Sequence, residues 1–521
     1  MSDFVFDWIL EQAEVAPSAK CLGTPAGWLS YGEVASRLQR VAGALQALGV
    51  KRGDRVILAL PNVPATVIAS YAVQLLGAAA VELSREWSAE LVGGIAAQTG
   101  ARLAIAYGRD AATWAKVGQV SQVVVVHPTE PPERLAALLG GRLQAWLKED
   151  GTLAGEWPAP APVRDLDAMA LLVYTSGSTG APRGVIQTHK NIAANTHSIV
   201  QYLKLTSADR VMSVLPLFYC YGKSLLQTHL YVGGSIFFDE RFMYPRVVME
   251  ALGQEECTGF AGVPLTFELI RRQVDLRTVN LRSLRYLTQA GGAMRHDTIH
   301  WVREAFAPAT LYVMYGQTEA TARLSYLPPE HAQDKFGSIG RGIPNVLLRV
   351  VDEAGKELPP GEVGHLVARG DNVSPGYFMD PAGTAEILHD GWLWTGDLAR
   401  RDGDGFLYIA GRSKEMLKLG GHRVSPMELE EVLGKHPDVV ESAVVGVPDE
   451  LGGEAAHAFV VRRPGAQTTE AELKRHCRDA LPAFKVPKEF TFAESLPRTH
   501  VGKLARAELK ARLTCASPKT S

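Results

Sequence analysis

From Val56 to Val81 the chain reads VILALPNVPATVIASYAVQLLGAAAV and carries no charge. A run of that length has two solutions, a membrane-spanning helix or elements buried inside a protein. Pro61, Asn62, Pro64, Gln74 and Gly77 divide it into a short β-type run, a turn, a helical run and a second short run. That order suits a βαβ unit. It predicts an α/β sheet with helices on its faces and no transmembrane segment.

The neighbouring sequence repeats the alternation. YGEVASRLQRVAGALQALGV has apolar residues spaced by three and four, Gly53-Asp54 marks a turn, and RVILAL reads as a strand. Pro158, Pro160 and Pro162 in EWPAPAPVRDLDAM mark a surface connection. Strands and helices continue from Leu171 to about Gly411, through RVMSVLPL, SIFF, LRYLTQAGG and TLYVMYG, and give way to strand-rich VLLRVVDEAGKELPPGEVGHLVAR with Gly355 and Gly361 as turn residues. Beyond GRSKEM, a helix after Pro426, the strands ESAVVGVPD and AAHAFVVRR, and a basic helical tail predict a small α+β domain. With 521 residues the chain exceeds what one core fills, so at least two domains are expected. No repeat of solenoid period recurs.

Charge and cysteines narrow the function classes. Lys and Arg number 54 against 56 Asp and Glu, a net charge of -2, which gives no reason to invoke nucleic acid or an anionic membrane as partner. Cys21, Cys220, Cys257, Cys477 and Cys515 form no CxxC pair, and Asp3 and Asp7 stand where a signal peptide would be basic and then apolar. The expectation is a reducing, cytoplasmic setting.

LLVYTSGSTGAPRGVIQTH, Leu171 to His189, crowds hydroxyls and glycines beside one cation, Arg183. Backbone N–H groups of such a turn converge on an anion, hydroxyls add donors and the cation adds charge, so the loop is a candidate phosphate cradle. It is not a Walker loop, since no Lys-Ser or Lys-Thr follows its last glycine. The Gly222-Lys223-Ser224 triplet has Leu217 where the first glycine should be. The G-x-S-x-G spacing of a hydrolase elbow is also missing.

In company with four other segments the loop becomes specific. YTSGSTGAPRG resembles the phosphate loop of the adenylate-forming superfamily of acyl-CoA synthetases, non-ribosomal-peptide adenylation domains and beetle luciferases. YGQTEA from Tyr315 resembles its nucleotide motif, WLWTGDLA from Trp392 its ribose motif, GRSKEMLKLGGHRVSPMELEE its hinge, and PRTHVGKLARAEL its C-terminal lysine motif. The order is the family's, and the motifs cover nearly the whole chain. The resemblance implies a large N-terminal adenylation domain of layered α/β sheets with a β-barrel-like part, residues 1–412. A small mobile α+β lid, residues 413–521, would turn about Lys414.

The resemblance also implies roles. Thr175, Ser176, Gly177, Ser178, Thr179 and Gly180 would hold the β- and γ-phosphates of ATP, with Arg183 where the family usually has lysine. Gly291 and Gly292 of AGGAM would run along the adenine, Tyr315 with Gly316 would face it, and Thr318 would meet the α-phosphate. Glu319 would hold Mg²⁺. Asp397 and Arg412 would contact the ribose. Lys503 would bridge the attacking carboxylate and the α-phosphate. Gly420 and Gly421 would line a pantetheine tunnel, with Lys418 and Arg423 beside AMP or the acceptor.

By the same resemblance Phe218, Tyr219, Cys220, Gly222 and Ser224 are candidate lining of an acyl pocket. No Asp stands near Cys220 to bind an α-ammonium, and the aromatic and small residues suit an apolar fatty or aryl acid. The expected activity is an AMP-forming acid–thiol ligase that converts a small-molecule carboxylic acid to acyl-AMP and then to a CoA thioester. Loading onto the phosphopantetheine of a carrier protein, a luciferase-type oxygenation and plain adenylate binding stay open beside it, as does a homodimer.

Overall fold

The computed structural model describes residues 2–127, 132–175, 182–419, 422–449, 454–498 and 504–516. The uncharged stretch forms the strand Arg55–Ala59, the helix Pro64–Leu75 and the strand Ala79–Glu82, the two strands parallel and adjacent. Pro64 takes the first helical turn, where its missing N–H costs nothing, and Gly77 at φ 69° makes the return. Every residue of that helix is buried, which explains an apolar run without periodicity. Among the described residues no helix is long and apolar enough to cross a membrane.

The chain divides into two compact units, Met1–Leu348 with Ala368–Leu393, and Arg349–Val367 with Trp394–Ser521. The first unit holds two large sheets. In the seven-stranded one, Leu143–Leu147, Gln122–Val126, Leu103–Tyr107, Arg55–Ala59, Ala79–Glu82 and Met169–Thr175 run parallel, and Arg183–Thr188 closes it antiparallel. The nine-stranded sheet has a parallel centre, Thr310–Tyr315, Tyr286–Gln289, Gly259–Gly262, Arg210–Ser213, Ser235–Phe238 and Lys20–Thr24, with antiparallel strands at both ends. The proline-bearing connection lies over the helix Tyr31–Ala47. There the Pro158 carbonyl occupies the place a Cβ on Gly43 would need.

In the second unit Gly355 and Gly361 take left-handed φ values of 82° and 93°, as turns require. The strand Trp392–Arg401 pairs antiparallel with Leu407–Arg412. Further on, His422–Val424, Leu417–Leu419, Glu454–Arg462, Val439–Pro448 and Glu489–Ala493 form a five-stranded sheet. Its core, including Leu429, Leu433, Val444, Val460 and Leu473, is closed by the helices Pro426–Gly434 and Glu470–Ala480. Each of these helices starts on a hydroxyl cap, Ser425 and Thr469.

Candidate active site

Thr175 ends one strand and Arg183 begins its antiparallel neighbour, directly opposite in register. The hairpin base is therefore fixed by the sheet, while Ser176, Gly177, Ser178, Thr179 and Gly180 lie outside the described residues. Arg183 reaches toward two carboxylates, Nε to Asp380 Oδ2 at 3.4 Å and Nη1 to Glu386 Oε2 at 3.5 Å. Its guanidinium carbon lies 5.3 Å from the Tyr377 ring centre. Asp380 also caps the helix Pro381–Ile387, accepting from the Gly383 N–H at 2.8 Å.

The nucleotide motif follows the strand Thr310–Tyr315. Gly316 is demanded by the turn, since a Cβ there would stand 1.9 Å from the Ala322 carbonyl oxygen. A short 3₁₀ turn, Thr318–Ala320, then presents Thr318 and Glu319. The Thr318 hydroxyl lies 3.5 Å from Cys220 Sγ, so the structure brings the phosphate candidate against the first residue of the helix Cys220–Val232. Glu319 Oε1 accepts from the Tyr377 hydroxyl at 2.8 Å. Burial and the Glu319 carboxylate hold the Tyr377 phenol well above its usual pKa, so it stays a neutral donor.

Phe218, Tyr219 and Cys220 are half-buried, with the two aromatic rings 4.5 Å apart. Gly222 and Ser224 are buried and do not share their position. The Cβ direction of Gly222 is filled by the Pro216 carbonyl oxygen at 2.3 Å, and Ser224 donates to the Tyr221 carbonyl at 2.7 Å. Both contacts belong to the packing of the helix against the segment that precedes it. Between them, Lys223 pairs with Glu82 at 2.5 Å, both buried, and Ser70 donates to the same carboxylate oxygen at 2.6 Å. Glu82, at the end of the strand Ala79–Glu82, thus supplies the counter-ion of the Lys of the Gly-Lys-Ser triplet.

Gly291, at φ 86°, and Gly292 are exposed, next to Val263 and Pro264. The buried Gln289 carboxamide donates to the Gly292 carbonyl at 2.7 Å and fixes that turn.

In the second unit, strand register places Asp397 opposite Arg412, and Arg412 Nε meets Asp397 Oδ1 at 2.9 Å. The Asp397 side chain is buried while Arg412 is half-exposed. Lys414 is exposed in the turn Ser413–Glu415. Lys418 is exposed and pairs in register with Arg423. Gly420, Gly421 and Lys503 lie outside the described residues. Three positions after Lys503, Arg506 holds Glu430 through both terminal guanidinium nitrogens and Glu415 through Nε at 3.2 Å.

The sequence motifs did not include Tyr377, Asp380 or Glu386. They lie in DNVSPGYFMDPAGTAEI, where Gly and Pro signal only turns, and no local pattern marks an aromatic there as a partner of Glu319.

Residues 9–378 match the AMP-binding enzyme family and residues 428–503 its C-terminal domain. A feruloyl-CoA synthase from Amycolatopsis is 34% identical over 97% of this chain and 98% of its own length. An indoleacetate–CoA ligase from Aromatoleum aromaticum is 30% identical over 97% of each. Among solved structures, the o-succinylbenzoate CoA synthetase of Bacillus subtilis in complex with ATP and magnesium is 28% identical. It superposes with a TM-score of 0.83 over 96% of this chain and 99% of that one. Five motifs in order, the two matched regions and end-to-end relatives agree: the chain belongs to the AMP-binding enzyme family, the adenylate-forming enzymes.

Proposed function

We propose that the protein is an AMP-forming acid–CoA ligase whose acid is apolar and aryl. In the first half-reaction a carboxylate oxygen attacks the α-phosphorus of ATP, the bond to the β-phosphate oxygen breaks, and pyrophosphate leaves. In the second the CoA sulfur, having lost its proton, attacks the acyl carbon and AMP departs with the electron pair. Both steps gather negative charge on oxygen, which fixed donors and cations stabilise.

The observation that carries the reading is the meeting of Thr318 with Cys220, with Glu319 next in sequence. It supports a reading in which Thr318 serves the α-phosphate at the start of the helix proposed to line the acyl pocket. Phe218 and Tyr219 at that end offer half-buried aromatic surface. Relatives named for ferulate and indoleacetate support an aryl acid, and their acceptor supports CoA.

Glu319 fits Mg²⁺. It is a hard oxygen donor with one oxygen engaged by a neutral phenol, and Mg²⁺ commonly takes one or two carboxylates together with substrate phosphates. When bound, the ion supplies charge neutralisation on the phosphates. Thr318 donates to the α-phosphate, Arg183 offers a fork to the terminal phosphates, and Asp397 accepts from ribose hydroxyls. Residues 413–521 act as the lid, turning at Lys414 and bringing Lys503 to the first step, in the cytoplasm.

The test is a panel of aryl, fatty and dicarboxylic acids assayed for pyrophosphate release with ATP, then for thioester with CoA or a carrier protein. We expect release with aryl acids and thioester with CoA. Release without any acid, or no release with all of them, would sink the proposal.

A further inference from the structure

Three buried carboxamides hold the loop that carries Thr318 and Glu319. The chain there makes no ladder hydrogen bonds, and it passes through Thr321 at φ 65° and ψ −62°, a left-handed φ that a threonine rarely adopts. A conformation of that kind persists only when its surroundings over-determine it. Gln187 Nε2 donates to the Thr318 carbonyl at 3.3 Å and to the Thr321 carbonyl at 3.1 Å. Asn372 Nδ2 donates to the Ala320 carbonyl at 3.3 Å and the Arg323 carbonyl at 2.9 Å, and the Asn372 backbone carbonyl accepts from the Thr321 hydroxyl at 2.7 Å. Asn195 exchanges bonds with the Arg323 backbone, donating at 3.0 Å and accepting at 3.3 Å. Each of the three side chains is 1% exposed.

Gln187 is a buried carboxamide near the end of its strand. Val185, two residues earlier on the same face, is buried and apolar, so a hydrocarbon would satisfy packing at 187. A carboxamide buried there is retained at the cost of its hydration, which only its two carbonyl partners offset. Those carbonyls stand on either side of Glu319.

We propose that Gln187 is a positioning residue for the adenylation step, fixing the Thr318–Thr321 backbone so that the Thr318 hydroxyl and the Glu319 carboxylate meet the nucleotide in one geometry. The role rests on the acid–CoA ligase reading. It concerns placement at the moment of reaction, so its loss falls on kcat. A misplacement near one ångström costs on the order of a hundredfold in rate.

The test compares wild type with Gln187→Leu and Gln187→Met, which keep the volume and drop both bonds. Two readouts are taken, steady-state pyrophosphate release and hydrogen exchange by mass spectrometry. We expect kcat to fall by about tenfold to a hundredfold with the KM for ATP and acid changed by less than about threefold. Amides from Gly316 to Arg323 should exchange faster, while the helix Pro64–Leu75 stays as protected as in wild type. Unchanged kcat in either folded variant overturns the proposal, and so does a fall in kcat without faster exchange in the 316–323 loop. If leucine prevents folding, the methionine variant decides, being closer to glutamine in shape and flexibility. A wild-type protein that releases no pyrophosphate overturns the ligase reading itself, an outcome visible before any variant is made.

Discussion

The hydroxyl of Tyr377 donates to Glu319 Oε1 at 2.8 Å, joining two residues 58 positions apart. The phenol is half-buried, and both desolvation and the neighbouring carboxylate keep it protonated. It therefore orients Glu319 without adding a charge that would compete for a cation. A hydrogen bond to a charged group is worth about 1.5–3 kcal/mol. Tyr377→Phe should raise the Mg²⁺ concentration for half-maximal pyrophosphate release by about tenfold or more, with little change in kcat at saturating Mg²⁺. A magnesium titration of the two proteins checks it, and coincident curves would remove Tyr377 from the site.

Arg183 faces two acids and one ring. The fork suits two carboxylates or one phosphate in the same way, so under the proposed role triphosphate would compete with Asp380 and Glu386 for it. Because Asp380 also caps a helix, Glu386 is the cleaner partner to change. Glu386→Gln should lower the KM for ATP, by no more than about twofold to threefold, since this pair is solvent-screened. Arg183→Ala should raise it, and Arg183→Lys should lie between. Equal KM values in all four proteins would place Arg183 outside the phosphate site.

Lys503→Ala tests the division of labour between the half-reactions. A cation bridging carboxylate and α-phosphate is needed only while phosphorus is attacked, so acyl-AMP formation should fall by about a thousandfold or more, in the range of electrostatic transition-state stabilisation. Thioester formation from supplied acyl-AMP should survive. An equal fall in both, in a folded protein, would refute the assignment. Arg506→Ala provides a structural control. Hydrogen bonds to charged groups are worth about 1.5–3 kcal/mol, so losing this half-buried, bidentate pair should lower the thermal midpoint of the C-terminal unit while Lys503 itself is unchanged.

The parts of the candidate site that were legible in the sequence are those in which backbone geometry dictates a local string. Glycines at 291 and 316 answer to positive φ or a carbonyl at van der Waals range, and such needs write themselves into adjacent residues. The βαβ unit was legible because an apolar run punctuated by Pro61, Pro64 and Gly77 admits few foldings. Tyr377, Gln187 and Asn372 were not legible. Each acts on a loop from 49 to 134 positions away, and nothing local distinguishes a buried carboxamide from an exposed one. The contacts of Gly222 and Ser224 were hidden for a related reason: small residues on a helix read as room for a ligand, and no local string shows that the Pro216 carbonyl and an internal hydroxyl bond lie there.

Stability below neutral pH should depend on His229, for a reason its partners spell out. The Leu225 carbonyl at 2.8 Å can only accept, so Nδ1 carries the proton, which leaves Nε2 to accept from the Tyr286 hydroxyl at 2.9 Å. The neutral tautomer is fully used and buried, and burial pushes the imidazole pKa down to about 4. An unfolded histidine titrates near 6.5. Between those two values the unfolded chain binds the extra proton, so stability is complete above about pH 6.5 and falls as the pH drops toward 4, by up to about 1.4 kcal/mol per pH unit. His189, also buried and lowered to about 4, adds to the same slope. His229→Asn removes its own titration and leaves those of His189, His197 and His457, which burial also lowers. Whatever its stability at pH 7.5, its urea midpoint should decline less steeply than that of wild type between pH 6.5 and 4.5. Parallel declines would mean that His229 does not stay neutral in the folded protein.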